Sequence, residues 1–122
     1  MPTFGRTVRL RSHDQFQAVT ERGQRVAGRC LTVLATPNDA GCDRLGIVAS
    51  RKIGGAVVRN RAKRRIRDVF RRRPDAAAEG PTMAPPLDIV VIARRELLSA
   101  PLSSLESELS AAMRRLRKQS RT

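Results

Sequence analysis

The stretch Arg44-Leu45-Gly46-Ile47-Val48-Ala49-Ser50-Arg51-Lys52-Ile53-Gly54-Gly55-Ala56-Val57-Val58-Arg59-Asn60-Arg61-Ala62-Lys63-Arg64-Arg65-Ile66-Arg67-Asp68-Val69-Phe70 carries two periodicities in succession. Leu45 to Ser50 is short, apolar and β-branched at Ile47 and Val48, which predicts a strand. Lys52-Ile53-Gly54-Gly55 breaks that pattern. From about Ala56 to Arg72 the apolar residues Val58, Ala62, Ile66, Val69 and Phe70 recur at helical spacing and fill a stripe about 120° wide, which predicts one long helix ended by Pro74. The other positions are almost all cationic. From Arg51 to Arg73 there are eleven Lys or Arg and one acid, Asp68. On the helical wheel Asn60, Arg64, Arg67 and Arg71 lie opposite the stripe, Lys63 and Arg61 on its shoulders, and Arg59 and Arg65 near its margins. A solvated helix face ordinarily mixes signs at i,i+4. Here like charges stack along one side, which costs free energy until a polyanion neutralises them. The pattern points to nucleic-acid phosphates.

Working outward, Ser12-His13-Asp14-Gln15 has the spacing of a capping box. Phe16 and Val19 share a face and Gly23 supplies a stop, so a short helix is expected from about 13 to 22. Residues 1–11 read as basic and irregular. Leu31-Thr32-Val33-Leu34-Ala35 predicts a strand that runs into the turn-forming Pro37-Asn38-Asp39-Ala40-Gly41. With Leu45–Ser50 it reads as an antiparallel pair joined by a short loop, and a weaker strand signal lies around Arg25 to Gly28. On the C-terminal side, residues 74–86 are rich in Ala, Pro, Gly and acids and read as a flexible surface loop. Leu87-Asp88-Ile89-Val90-Val91-Ile92-Ala93 is nearly continuous apolar, as in a central strand buried on both faces. Reaching it through a long helix predicts a βαβ crossover. Ser103-Ser104-Leu105-Glu106 again has capping-box spacing. Leu102, Leu105, Leu109, Ala112, Met113 and Leu116 then mark a last helix, with Arg114, Arg115, Arg117 and Lys118 crowding its end.

The 122 residues suit a single domain spanning 1–122, with an ordered core at about 6–118. The net charge is +14, carried by 22 Arg and three Lys against 11 acids. Arginine matches phosphate with a planar fork of donors. No apolar run approaches the ~20 residues that span a bilayer, and the N-terminus shows no hydrophobic signal, so a cytoplasmic protein is expected. A membrane-surface helix would need exposed Trp or Leu, and there is no Trp. A DNA regulator of helix-turn-helix type needs two close helices, whereas strands flank the basic helix here. Cys30 and Cys42 lack a CxxC spacing and the chain has one His, which excludes a structural zinc site; the two could form one disulfide, but with no export signal two reduced thiols are expected.

Residues for protein-borne catalysis are missing. His13 falls in the first turn of a helix, where a surface role is expected, and neither cysteine has a base partner. Asp39, Asp43, Asp75, Glu79, Glu106 and Glu108 are scattered rather than gathered for metal binding. Gly54-Gly55 precedes a helix and either takes a phosphate or makes a tight turn. The residues read as an RNA binder with no catalytic and no metal-ligating set; a ribosomal-protein-like structural RNA binder shares this composition.

The motif Lys52-x-Gly54-x-Ala56-x-x-Arg59-Asn60-Arg61-x-Lys63-Arg64-x-x-Arg67 closely resembles the "RNR" signature of the bacterial ribonuclease P protein subunit. Arg44–Arg51 resembles that family's strand before the helix, Asp88–Arg94 its later strand, and Arg9-Leu10 with Phe16, Val19 and Gly23 its N-terminal helix. The resemblance implies an α+β fold: a small mixed sheet of three to four strands packed with three helices, in αβββαβα order with a left-handed βαβ crossover. It implies a subunit of an endoribonuclease whose RNA performs the catalysis, removing the 5′ leader of precursor tRNA with Mg2+ held mainly by RNA. On this resemblance Arg59, Asn60, Arg61, Lys63, Arg64, Arg67 and Arg71 contact the catalytic RNA. Phe16, Leu34, Arg51, Lys52 and Arg59 contact the leader. Thr20 and Leu34 stand where other members often have aromatic rings, so leader contact falls to Phe16, aliphatic surface and arginine.

Overall fold

Leu87–Ala93 is buried along nearly its whole length and pairs through both edges, and the other elements are arranged around it. The computed structural model describes residues 8–10, 13–38, 43–72 and 86–120. These residues form β1 (Val8–Arg9), α1 (His13–Arg22), β2 (Gln24–Ala27), β3 (Leu31–Pro37), β4 (Arg44–Val48), α2 (Ala56–Arg72), β5 (Leu87–Ala93) and α3 (Leu102–Ser120), with short 3-10 turns at Arg51–Ile53 and Arg95–Leu98. The sheet order is β1-β4-β5-β3-β2. β1 and β4 are parallel, as are β4 and β5, while β3 runs antiparallel to β5 and to β2. The fold is α+β. After β1 the order is αβββαβα, and β4–α2–β5 is the expected βαβ unit. Beyond the four full strands, two-residue β1 adds to the edge of β4 within the stretch read as irregular. The Leu10 N–H extends that pairing to the Leu45 carbonyl at 3.1 Å.

The helix bounds 13–22 and 56–72 and the strand 87–93 agree with the sequence reading. The strand read over Leu45–Ser50 runs instead from Arg44 to Val48. A larger correction concerns pairing. β3 and β4 run in opposite directions but do not touch as a hairpin, because β5 lies between them. The continuous apolar run of β5 is best buried in the middle of the sheet, and the connection from β3 to β4 needs only to cross roughly 10 Å, two strand spacings. The second capping box also does not form. α3 starts at Leu102, and the Pro101 carbonyl accepts the N–H groups of Ser104 and Leu105, which places Ser103 inside the first turn. Ser12 and most of the 74–86 loop lie outside the described residues.

Alternation along the strands sorts side chains to two faces. Leu31, Val33 and Ala35 of β3 and Leu87, Ile89, Val91 and Ala93 of β5 face α2 and α3, meeting Ile66, Val69, Phe70, Leu105, Leu109, Met113 and Leu116 in the main core. Leu34 and Val90 face α1 and pack with Leu10 and Val19 in a smaller core. No helix among the described residues is long and apolar enough to cross a membrane.

Candidate nucleic-acid interface

The orientation of α2 follows from its packing. Ala62, Ile66, Val69 and Phe70 are buried against the sheet and α3. Gly54 sits at φ 148°, and a Cβ there would fall 2.8 Å from Val58 Cβ, so only glycine makes this turn into the helix. The Gly55 carbonyl then accepts the Arg59 N–H at 2.9 Å. Gly54-Gly55 is thus a tight turn that sets the helix entry. With the stripe facing inward, Asn60, Arg61, Arg64, Arg71 and Arg72 are exposed, and Arg59, Lys63 and Arg67 are half-buried. The wheel placed Asn60, Arg64, Arg67 and Arg71 opposite the stripe, Arg61 and Lys63 on its shoulders and Arg59 near its margin; in the structure Asn60, Arg61, Arg64 and Arg71 are exposed, whereas Arg67 is half-buried like Lys63 and Arg59. Arg65 differs: its guanidinium donates through Nη2 to the Ala100 carbonyl, tying α2 to the segment before α3.

The carboxylates are engaged elsewhere. Asp88, 7% exposed, accepts from Arg44 through both oxygens at 2.7 Å and from Asn38 Nδ2 at 2.7 Å. Asp43 accepts the Leu87 N–H at 2.8 Å and an Arg117 guanidinium. Glu108 reaches from α3 to the N–H groups of Cys30 and Leu31 at 3.0 and 2.9 Å, where the chain turns from β2 into β3. These groups pin strand ends and helix to one another. On α2 itself Asp68 pairs with Arg71 at 2.7 Å; both groups are open to solvent, so the pair weakens the positive face little. Cys30 is a free thiol. Burial pushes its pKa up and the Glu108 carboxylate adds to the shift, so it is held protonated rather than as a nucleophilic thiolate.

On the other face of the sheet, Phe16 of α1 is half-buried against the Leu10, Val19, Leu34 and Val90 cluster. Its ring occupies the space over Gly46, where a Cβ would stand 2.5 Å from Phe16 Cζ. Leu34 is 5% exposed and supports this helix from beneath. Val48 and Ile92, directly paired across β4 and β5, edge the same cluster half-buried. This strand end also carries exposed Arg51 and Lys52 after β4 and exposed Arg94 and Arg95 after β5. Arg95 Nη2 donates to the Lys52 carbonyl at 3.0 Å and fixes the two segments together. The pair Arg94-Arg95 is absent from the sequence-derived site, although two consecutive cations at the end of a buried strand were a readable signal.

One layer of mixed sheet thus carries a cationic helix on one face and, on the other, an apolar edge rimmed by cations. These features define a class: a small basic α+β domain shaped to receive a polyanion. The family model for ribonuclease P matches residues 4–117. Ribonuclease P protein components of Brevibacillus brevis and Symbiobacterium thermophilum are 37% and 39% identical to it, covering 90% and 88% of this chain and 83% and 89% of theirs. The Staphylococcus aureus RNase P protein superposes with a TM-score of 0.71 at 28% identity, covering 92% of this chain and 99% of that one. The protein from Thermotoga maritima gives 0.69 at 31% identity, over 90% and 96% of the two chains. This chain belongs to the ribonuclease P protein family.

Proposed function

We propose that this chain binds the catalytic RNA of ribonuclease P through the outer face of α2, and the 5′ leader of precursor tRNA along the Phe16 edge of the sheet. The observation that carries the reading is the excess of cations on α2: Arg59, Arg61, Lys63, Arg64, Arg67 and Arg71, with Asn60 among them, against the single acid Asp68, which pairs with Arg71 alone. The leader is a single strand, suited to an apolar platform with cationic borders. Phe16, with Leu34 beneath it, supplies the platform, and Arg51, Lys52 and Arg59 its border. The protein positions RNA, and the RNA subunit performs the hydrolysis that yields the mature tRNA 5′ end. Among the described residues no three of His, Cys, Asp and Glu gather, and Asp43, Asp88 and Glu108 hold strand ends. The Mg2+ that this hydrolysis uses is assigned mainly to the RNA. The site of action is the cytoplasm.

A salt titration tests the α2 assignment. Each phosphate neutralised contributes a slope of roughly −0.7 to −0.9 to the log–log dependence of affinity on salt. Binding of the RNA subunit should therefore weaken steeply between low and moderate salt. A flat dependence would show that α2 is a solvated face.

Phe16→Ala tests the leader assignment. A ring stacked on a base contributes ~1–3 kcal/mol, and mature tRNA has no leader. The ratio of precursor to mature tRNA affinity in the reconstituted complex should fall accordingly, on protein verified as folded. Because Phe16 also packs over Gly46, the same substitution lowers the melting temperature. An unchanged affinity ratio with a lowered melting temperature would reduce Phe16 to a packing residue.

A further inference from the structure

Arg114, Arg115 and Lys118 on α3 are exposed and make no ion pair among the described residues, whereas Arg117 between them is bound to Asp43. Lys118 lies in the last turn, where the helix dipole favours a cation, but the helix does not explain Arg114 and Arg115. α3 runs to Ser120, so Arg114 and Arg115 stand more than one turn before its end, outside the range of the terminal dipole. The positions three and four away from either hold Ser110, Ala111, Ala112, Arg117, Lys118 and Gln119. None is acidic, and the charged ones repel.

The topology shows where these cations lie. α2 carries the chain from the C-terminal end of β4 to the N-terminal end of β5. α3 leaves the C-terminal end of β5 on the same sheet face, packs against α2, and ends with Arg117 bonded to Asp43, one residue before β4. Both helices therefore finish at the same end of the sheet. There exposed Arg71 and Arg72 close α2, and Arg114, Arg115 and Lys118 close α3. The cationic face of α2, about 25 Å long at 17 residues, thus ends at the same end of the sheet as the α3 cations.

We propose that Arg114, Arg115 and Lys118 form a second phosphate-docking surface for the RNA subunit, which grips a backbone segment beyond the one held by α2. This rests on the reading of α2 as the RNA-subunit face. The RNA subunit is the occupant rather than precursor tRNA, because the cluster lies on the sheet face opposite the Phe16 edge and at the far strand end from Arg51 and Lys52.

The test uses full-length protein and the RNA subunit alone, without tRNA, across a salt series. The variant Arg114→Gln/Arg115→Gln/Lys118→Gln is compared with Arg61→Ala/Arg64→Ala/Arg67→Ala on α2. The α3 variant should bind about tenfold or more weakly at moderate salt, with a log–log slope shallower by about two to three. Circular dichroism checks the fold. Should the triple variant unfold, the single variants Arg114→Gln and Lys118→Gln carry the test, each with a slope shallower by about one. Unchanged affinity and slope in the α3 variant, with binding weakened in the α2 variant, would overturn the second surface alone. Unchanged binding in both would overturn the reading of α2 as well. A loss seen only when precursor tRNA is present would assign the surface to the tRNA and overturn the proposal.

Discussion

Ile66→Ala is expected to cost about 2–5 kcal/mol of folding stability while leaving every RNA-facing cation in place. Ile66 is 1% exposed and sits on the inward face of α2 among the residues that join both helices to β5. Truncation removes buried methyl groups and leaves a cavity that rigid neighbours on the sheet fill poorly. Arg64, one turn-half away on the exposed side, should behave oppositely: Arg64→Ala opens no cavity and should shift stability by within about 0.5 kcal/mol. Urea midpoints of the two variants measured side by side give the contrast. If Arg64→Ala lowered stability as much as Ile66→Ala, α2 would be rotated relative to the orientation described.

The reciprocal result is expected for RNA. Arg61→Ala/Arg64→Ala/Arg67→Ala should weaken binding of the RNA subunit on the order of 100-fold at ~0.15 M salt, the contribution of three phosphate contacts. Arg61 and Arg64 are exposed and Arg67 is half-buried, and none of them is paired with a carboxylate among the described residues. The melting temperature should stay nearly constant. A filter-binding titration of folded variant that matched the unaltered protein would remove α2 from the interface.

The two longest apolar signals were legible in sequence because each is local. The stripe Val58–Ala62–Ile66–Val69–Phe70 defines both the bounds and the orientation of α2, and therefore the cationic face. The unbroken run 87–93 marks β5 as central. Strand neighbours are a different matter. Alternation along β3 and β4 reports which side chains are buried but not which strand lies alongside, and so the insertion of β5 between them is invisible to periodicity. The same holds for Glu108. In sequence it is one of several scattered acids, and only the folded chain brings it to the N–H groups of Cys30 and Leu31. Arg95 is tied to Lys52 in the same long-range way. For Phe16 the sequence left core packing and leader contact both open. The fold supplies the packing, a ring over Gly46, and leaves the side chain only partly covered.

The central claim is that this protein contributes binding while its RNA contributes chemistry. The most direct measurement is cleavage of precursor tRNA at low magnesium by RNA-free protein, by the RNA subunit, and by the two combined. The account predicts no cleavage by the protein, little by the RNA under these conditions, and efficient release of the 5′ leader at the mature end by the mixture. Cleavage at that site by the purified protein alone, or no gain from adding it to the RNA, would contradict it.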